Sequence, residues 1–271
     1  MTPLPTMRDS RLFRRAICLS STVGLLLTLG GSSLADYRPP IARDTMMIGG
    51  LTLPESARAY TPPSDSRIPD SDHTGGGVRG CGGELAALAP RLYHSGQTLS
   101  PRPTFVWYVL QEEPQPLELH LYRYKTDGAL EEVFIKDIGQ SAQGYMAYSL
   151  PSDQADLAVG ETYLWQVMLY CDESLEEVDS WSTADIEVVA PSPELTAGLP
   201  DAPLQRAETY AQSGYWYDAI ATVYDATSPA AKAFRQSLLL DLADLETPPE
   251  GEPSIREKLL IDQLRAIATM E

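Results

Sequence analysis

Apolar residues in this chain recur with a period of two up to Pro191-Ser192-Pro193 and with a period near 3.6 beyond it. No single regular element satisfies both patterns, so the chain must build a sheet first and helices second. Within residues 79–190 the run Thr104–Leu110 is aromatic and β-branched, and Leu117, Leu119 and Leu121 alternate with Glu118, His120 and Tyr122. Such alternation puts one face of a strand in a core and the other in water. Asp127-Gly128 between Leu117–Tyr124 and Leu130–Ile138 is a hairpin signal. Tyr145–Leu150 is a further short run, Pro151–Gly160 a polar loop, and Trp181–Val189 closes the series. In Thr162–Cys171 the residues Tyr163, Trp165, Val167, Leu169 and Cys171 share one face. Six short strands separated by turns predict an antiparallel, all-β sandwich of the immunoglobulin or fibronectin type III kind, with Trp107 and Trp165 in its core.

Proline disfavours the α region just before it, so Pro191 and Pro193 set the boundary of a helical region, 191–271. Leu204–Ser213 and Tyr215–Ala226 make a helix pair joined at Gly214. Tyr210, Gly214, Trp216, Ala219, Ile220 and Ala226 give that pair a tetratricopeptide-like pattern. Two later stripes, Phe234-Leu238-Leu242-Leu245 and Leu260-Leu264-Ile267, predict helices that cover the pair, because one repeat cannot bury its face alone.

The first 35 residues carry Arg8, Arg11, Arg14 and Arg15, then the apolar run Ala16–Leu29, then small residues up to Ser33 and Ala35. This is the layout of a secretory signal peptide, with cleavage expected between Ala35 and Asp36. The apolar run is shorter than the ~20 residues needed to span a bilayer, so stable membrane insertion is not expected after cleavage. Cys18 lies inside the apolar run and follows Arg15-Ala16-Ile17, which excludes a lipoprotein site. Residues 36–78 are rich in Pro, Ser, Asp and Gly, and they read as a disordered tether. Its end, Gly75-Gly76-Gly77-Val78-Arg79-Gly80, matches G-x-G-x-x-G literally, but Ile68–Thr74 is no strand and the dinucleotide reading fails.

The formal net charge is −18 at neutral pH, and loss of the arginine-rich leader makes it more negative. That charge excludes nucleic acid as a partner, since binding phosphates needs clustered Lys and Arg. Two cysteines, Cys81 and Cys171, outlast the leader, and in an oxidising compartment a lone pair usually closes a disulfide. Two free buried thiols are the alternative. A zinc or redox pair would need them a few residues apart.

With Gly76-Gly77-Val78-Arg79-Gly80-Cys81, Arg102–Tyr108, Gly160–Trp165, Tyr170-Cys171-Asp172 and Ala211–Ala219 in the same order, the chain resembles the family catalogued as domain of unknown function 928, over about residues 75–246. The resemblance implies an exported, mostly cyanobacterial protein with one cysteine pair, and it brings no catalytic residue.

Candidate sites are few. Asp172, Glu173, Glu176, Glu177 and Asp179 crowd one loop and could draw calcium weakly, although they lack the spacing and the glycine of a calcium loop. His73, His94 and His120 are scattered. Tyr108, Tyr122 and Tyr124 fall opposite the leucine and tryptophan faces; exposed together they would form an aromatic platform for sugar rings or a partner protein. Packing against the helical pair is the alternative. No cofactor, metal set or catalytic constellation follows from the residues. The expectation is an exported, non-catalytic binding or assembly protein, its partner a protein or a glycan. A carbohydrate-binding module is the alternative, and a hydrolase the less favoured third.

Overall fold

The computed structural model describes residues 58–67, 69, 76–78 and 83–270. Among these lie strands β1 (Gly76–Val78), β2 (Leu85–Ala87), β3 (Gly96–Thr98), β4 (Thr104–Val109) and β5 (Pro116–Tyr124). They are followed by β6 (Leu130–Gln140), β7 (Gly144–Ser149), β8 (Thr162–Tyr170) and β9 (Val178–Val188). A short α1 (Pro193–Gly198) leads into α2 (Pro203–Gln212), α3 (Trp216–Val223), α4 (Pro229–Leu245) and α5 (Ile255–Thr269). The signal-cleavage expectation at Ala35 and Asp36, and Cys81, lie outside the described residues.

The strands form two sheets. The larger runs β1-β9-β8-β5-β6, with β3 also on β9; the smaller runs β2-β4-β7. Every pairing is antiparallel except β3 on β9, where Gly96 lies opposite Ile186 in parallel register. The hairpin at Asp127-Gly128 forms as expected, its turn closed by Lys125 N–H to Ala129 O at 2.8 Å. Leucines 117, 119 and 121 of β5 and Trp165, Val167 and Leu169 of β8 are fully buried between the sheets, as the alternation requires. The opposite face of β5 does not lie in open water: His120 is buried, and its ring nitrogens bond Glu118 and Tyr122. Three short strands escaped the sequence reading, because three residues carry too little periodicity to register. β9 begins at Val178, ahead of the expected Trp181.

Both helix pairs close on the sheets, and sheet and helix residues share one continuous core. Trp216 opens α3 and donates its indole N–H to Leu88 O at 2.8 Å, so the helix is pinned to the chain beyond β2. One residue on, Tyr217 receives the Trp165 indole N–H and donates to Asp185 O, both at 2.7 Å. Three elements thus meet at one phenol. The carbonyls ending α3 accept from the buried Arg235 guanidinium of α4, at 2.7 Å for Val223 O and 2.8 Å for Tyr224 O. Positive charge at a helix C-terminus is where the macrodipole favours it. Residues of the expected sandwich at 79–190 and of the expected helical region at 191–271 share one core.

Residues 58–67 overturn part of the tether reading. Tyr60 is fully buried, stands edge-on to Trp216 at 4.9 Å, and its N–H donates to Asp241 Oδ2 at 2.9 Å. Its hydroxyl donates to Gly214 O. Gly214 sits at φ +89°, where a side chain is strained, and a Cβ there would come within 2.6 Å of Pro63. The α2–α3 turn is therefore shaped to accept this strap. Composition foretold disorder because one anchoring tyrosine among prolines and serines barely moves an average.

Candidate functional site

Between β9 and α5 lies a cleft of about 770 Å³, within the ~300–1,000 Å³ usual for small-molecule sites. Its β wall is Ser180, Trp181 and Ser182 of β9, with Leu85, Leu92 and Leu110 nearby; its helical wall includes Leu259, Leu260 and Ala266. Trp181 can lie across the sheet because β1 brings Gly77 opposite it, and a Cβ at Gly77 would fall 2.3 Å from the indole. On the far wall, Ser254 and Glu257 form a capping box that starts α5, and Tyr93 donates its hydroxyl to the same Glu257. That bond ties the helix to the loop carrying the cleft's only fully sequestered cation among the described residues. Leu259 is 67% exposed and adds to the apolar lining that Leu85, Leu92, Leu110 and Leu260 give the cleft.

The cation is Arg91, 5% exposed. Its Nη1 donates to the Ser182 hydroxyl, and its Nε has no hydrogen-bond partner. Burial lowers its pKa to about 10, with Glu246 opposing the shift and Arg256 adding to it. Glu246, at the end of α4, is 1% exposed and accepts the backbone N–H groups of Arg91 at 2.6 Å and Leu92 at 2.9 Å. Burial raises its pKa to about 7 against the pull of Arg91. The carboxylate therefore holds the Arg91 backbone and leaves the guanidinium facing the cleft with one donor unused. A second recess, of about 220 Å³, lies at Thr98, Arg102, Arg206 and Asp218. Its polar groups are engaged: Asp218 accepts Leu99 N–H at 2.9 Å, Arg102 meets Asp156, and Arg206 donates to Pro200 O and Asp201 O.

A family model, Domain of Unknown Function (DUF928), matches residues 74–247. The chain belongs to this family. The DUF928 segment contains Arg91 and Ser182 of the cleft, and Glu246 behind them, while α5 and the strap lie outside it. No curated protein matches the chain. Among solved structures, one comes from a structural and functional study of a lytic polysaccharide monooxygenase important for chitin utilization in Cellvibrio japonicus. It is 11% identical with a TM-score of 0.26, covering 37% of this chain and 58% of that one. The chain thus spans little more than half of that structure, and so remote a likeness carries no argument about the DUF928 fold or activity.

The residues singled out from sequence fall elsewhere. Tyr108 is on β4 of the smaller sheet, edge-on to Tyr145 at 5.0 Å, with its hydroxyl on Met270 Sδ at 3.5 Å. Tyr124 is on β5, 7% exposed, with its hydroxyl donating to Asp185 Oδ1 at 2.9 Å. Tyr122 bonds His120. These tyrosines sit on two sheets and two of them are buried, so the three do not form an exposed platform. The acidic loop does not converge either. Asp179 is fully buried, turned toward Gly83 N–H at 2.6 Å and the Gln115 amide at 2.9 Å, while Asp172, Glu173, Glu176 and Glu177 stay in solvent. Asp172 accepts from Ser174. Among the described residues no group of three or more His, Cys, Asp or Glu is placed to hold a metal. Cys171 is half-buried just past β8, its N–H on Glu177 O at 3.0 Å.

Arg91 went unnoticed in the sequence because one arginine after Leu85–Pro90 looks like a surface residue. Glu246 did leave a signal. A carboxylate directly after the Phe234–Leu245 stripe sits where the helix dipole disfavours negative charge.

Proposed function

We propose that this protein is an exported, non-catalytic binding protein whose ligand enters the cleft between β9 and α5. The observation carrying the reading is the coexistence of leucine walls, an exposed Leu259 and a buried guanidinium with an idle donor in one concavity. The glycan alternative loses its basis once the tyrosines are dispersed. A neutral, environment-sensitive dye should bind the native protein with a blue shift, and Ala266→Trp, which fills the cleft from α5, should abolish that binding. A dye signal indifferent to Ala266→Trp sinks the reading.

Two finer expectations belong here. An immunoglobulin-like sandwich is supported by strand order: β2-β4-β7 and β9-β8-β5-β6 correspond to A-B-E and G-F-C-C′. The tetratricopeptide likeness of α2 and α3 rests on the Gly214 turn alone. Export with a Cys81–Cys171 disulfide is supported by the Gly83–Asp179 hydrogen bond, which holds the chain just past Cys81 beside the β8–β9 hairpin. Intact mass of the protein from its host should begin at Asp36 and fall two hydrogens short of the reduced form.

A further inference from the structure

We propose that the cleft takes a single-chain aliphatic amphiphile with an anionic head, the head on Arg91 and Ser182 and the chain along Leu85, Leu110, Leu259 and Leu260. The inference rests on the cleft being the binding site, and it names the ligand's chemistry.

A guanidinium withdrawn from water is costly unless acceptors meet its donors. Arg91 meets one, the neutral Ser182 hydroxyl, and its Nε meets none. The nearest compensating carboxylate, Glu246, spends both oxygens on backbone N–H groups, so it acts on the guanidinium only through space. An acid head supplies what is missing, since paired oxygens match the guanidinium fork. Arg256 lines the same cleft, as do the carboxylates Glu84, Glu257 and Asp262, so the head preference rests on the buried Arg91 and its unmet donor and not on the summed charge of the lining. Leucines on both walls favour a hydrocarbon chain over a sugar or a charged peptide. Carboxylate and phosphate heads share this chemistry, and both are tested.

The experiment is calorimetry on the native protein with decanoate, dodecanoate, dodecyl phosphate, dodecanol and dodecylamine, each below its micelle concentration. An ω-bromoalkanoate reports location by quenching Trp181, because Trp107, Trp165 and Trp216 are fully buried. The expected result is dodecanoate or dodecyl phosphate binding about tenfold or more tighter than dodecanol, and no dodecylamine binding. Affinity should rise about fourfold per methylene, and Trp181 should be quenched. Arg91→Met should remove the preference for acid over alcohol and leave dodecanol binding intact. Equal affinity for acid and alcohol overturns the head assignment while the cleft remains a binding site. No binding by any member overturns both readings. An unquenched Trp181 overturns the location, and a preference surviving Arg91→Met overturns the role of Arg91. If Arg91→Met does not fold, the comparison of acid, alcohol and amine on the native protein still decides.

Discussion

At Tyr217 one hydroxyl accepts from β8 and donates to β9 from the first turn of α3. Removing it strands the buried Trp165 indole N–H. Tyr217→Phe should lower stability by about 1–3 kcal/mol in urea unfolding, mostly from that N–H left without its acceptor. Trp165→Ala, which also opens a cavity beside Phe105 (ring centroids 5.3 Å apart), should cost about 3–5 kcal/mol in the same measurement. The burial of Trp165 was legible from alternation alone. Its hydrogen bond was not, because the partner lies 52 residues away on a helix. The same limit hid Arg91. A local pattern reports which face of an element is inward, and says nothing of which inward donors stay without acceptors.

Among elements, the strap of residues 58–67 separates composition from structure most sharply. Tyr60→Ala removes a ring packed on Trp216 and a hydroxyl on Gly214 O. It should cost about 3 kcal/mol or more, and it should speed proteolysis within residues 58–67 while the strands remain protected. Equal proteolysis of wild type and variant would show that the strap contributes nothing to the fold. Strands longer than five residues and helices longer than six were found by pattern: β4 to β9 and α2 to α5 stand where expected, within about five residues at their ends, while the six-residue α1 was not read. The strap, β1, β2 and β3 were not, since their conformation is imposed by the surfaces they lie on. The parallel β3–β9 pairing is of that kind, because register between distant segments leaves no local trace.

For the whole molecule, the acidic charge and two buried carboxylates act in one direction. Glu246 has its pKa raised to about 7 from the usual 4.5, and Asp218 to about 6 from 3.8, in both cases mainly by burial. The folded state holds these protons more tightly than the unfolded chain, so their stabilisation is complete below about pH 4 and is lost as pH rises through 6–7. The melting temperature should therefore be higher near pH 5 than near pH 8, by about 2–4 °C per kcal/mol. Glu246→Gln should flatten that slope; an unchanged slope would remove Glu246 from the account. Because sheet and helix share one core, unfolding should be a single cooperative transition by both circular dichroism and tryptophan fluorescence.

The strap also sets an order of events in time. Tyr60 leaves the ribosome 181 residues before Asp241, its hydrogen-bond acceptor. At roughly 5–20 residues per second, the N-terminal segment waits about 10–35 seconds for a place to dock. Until then Tyr60 lacks both the Trp216 ring and the Asp241 carboxylate that hold it, so the strap is among the last segments to find its place.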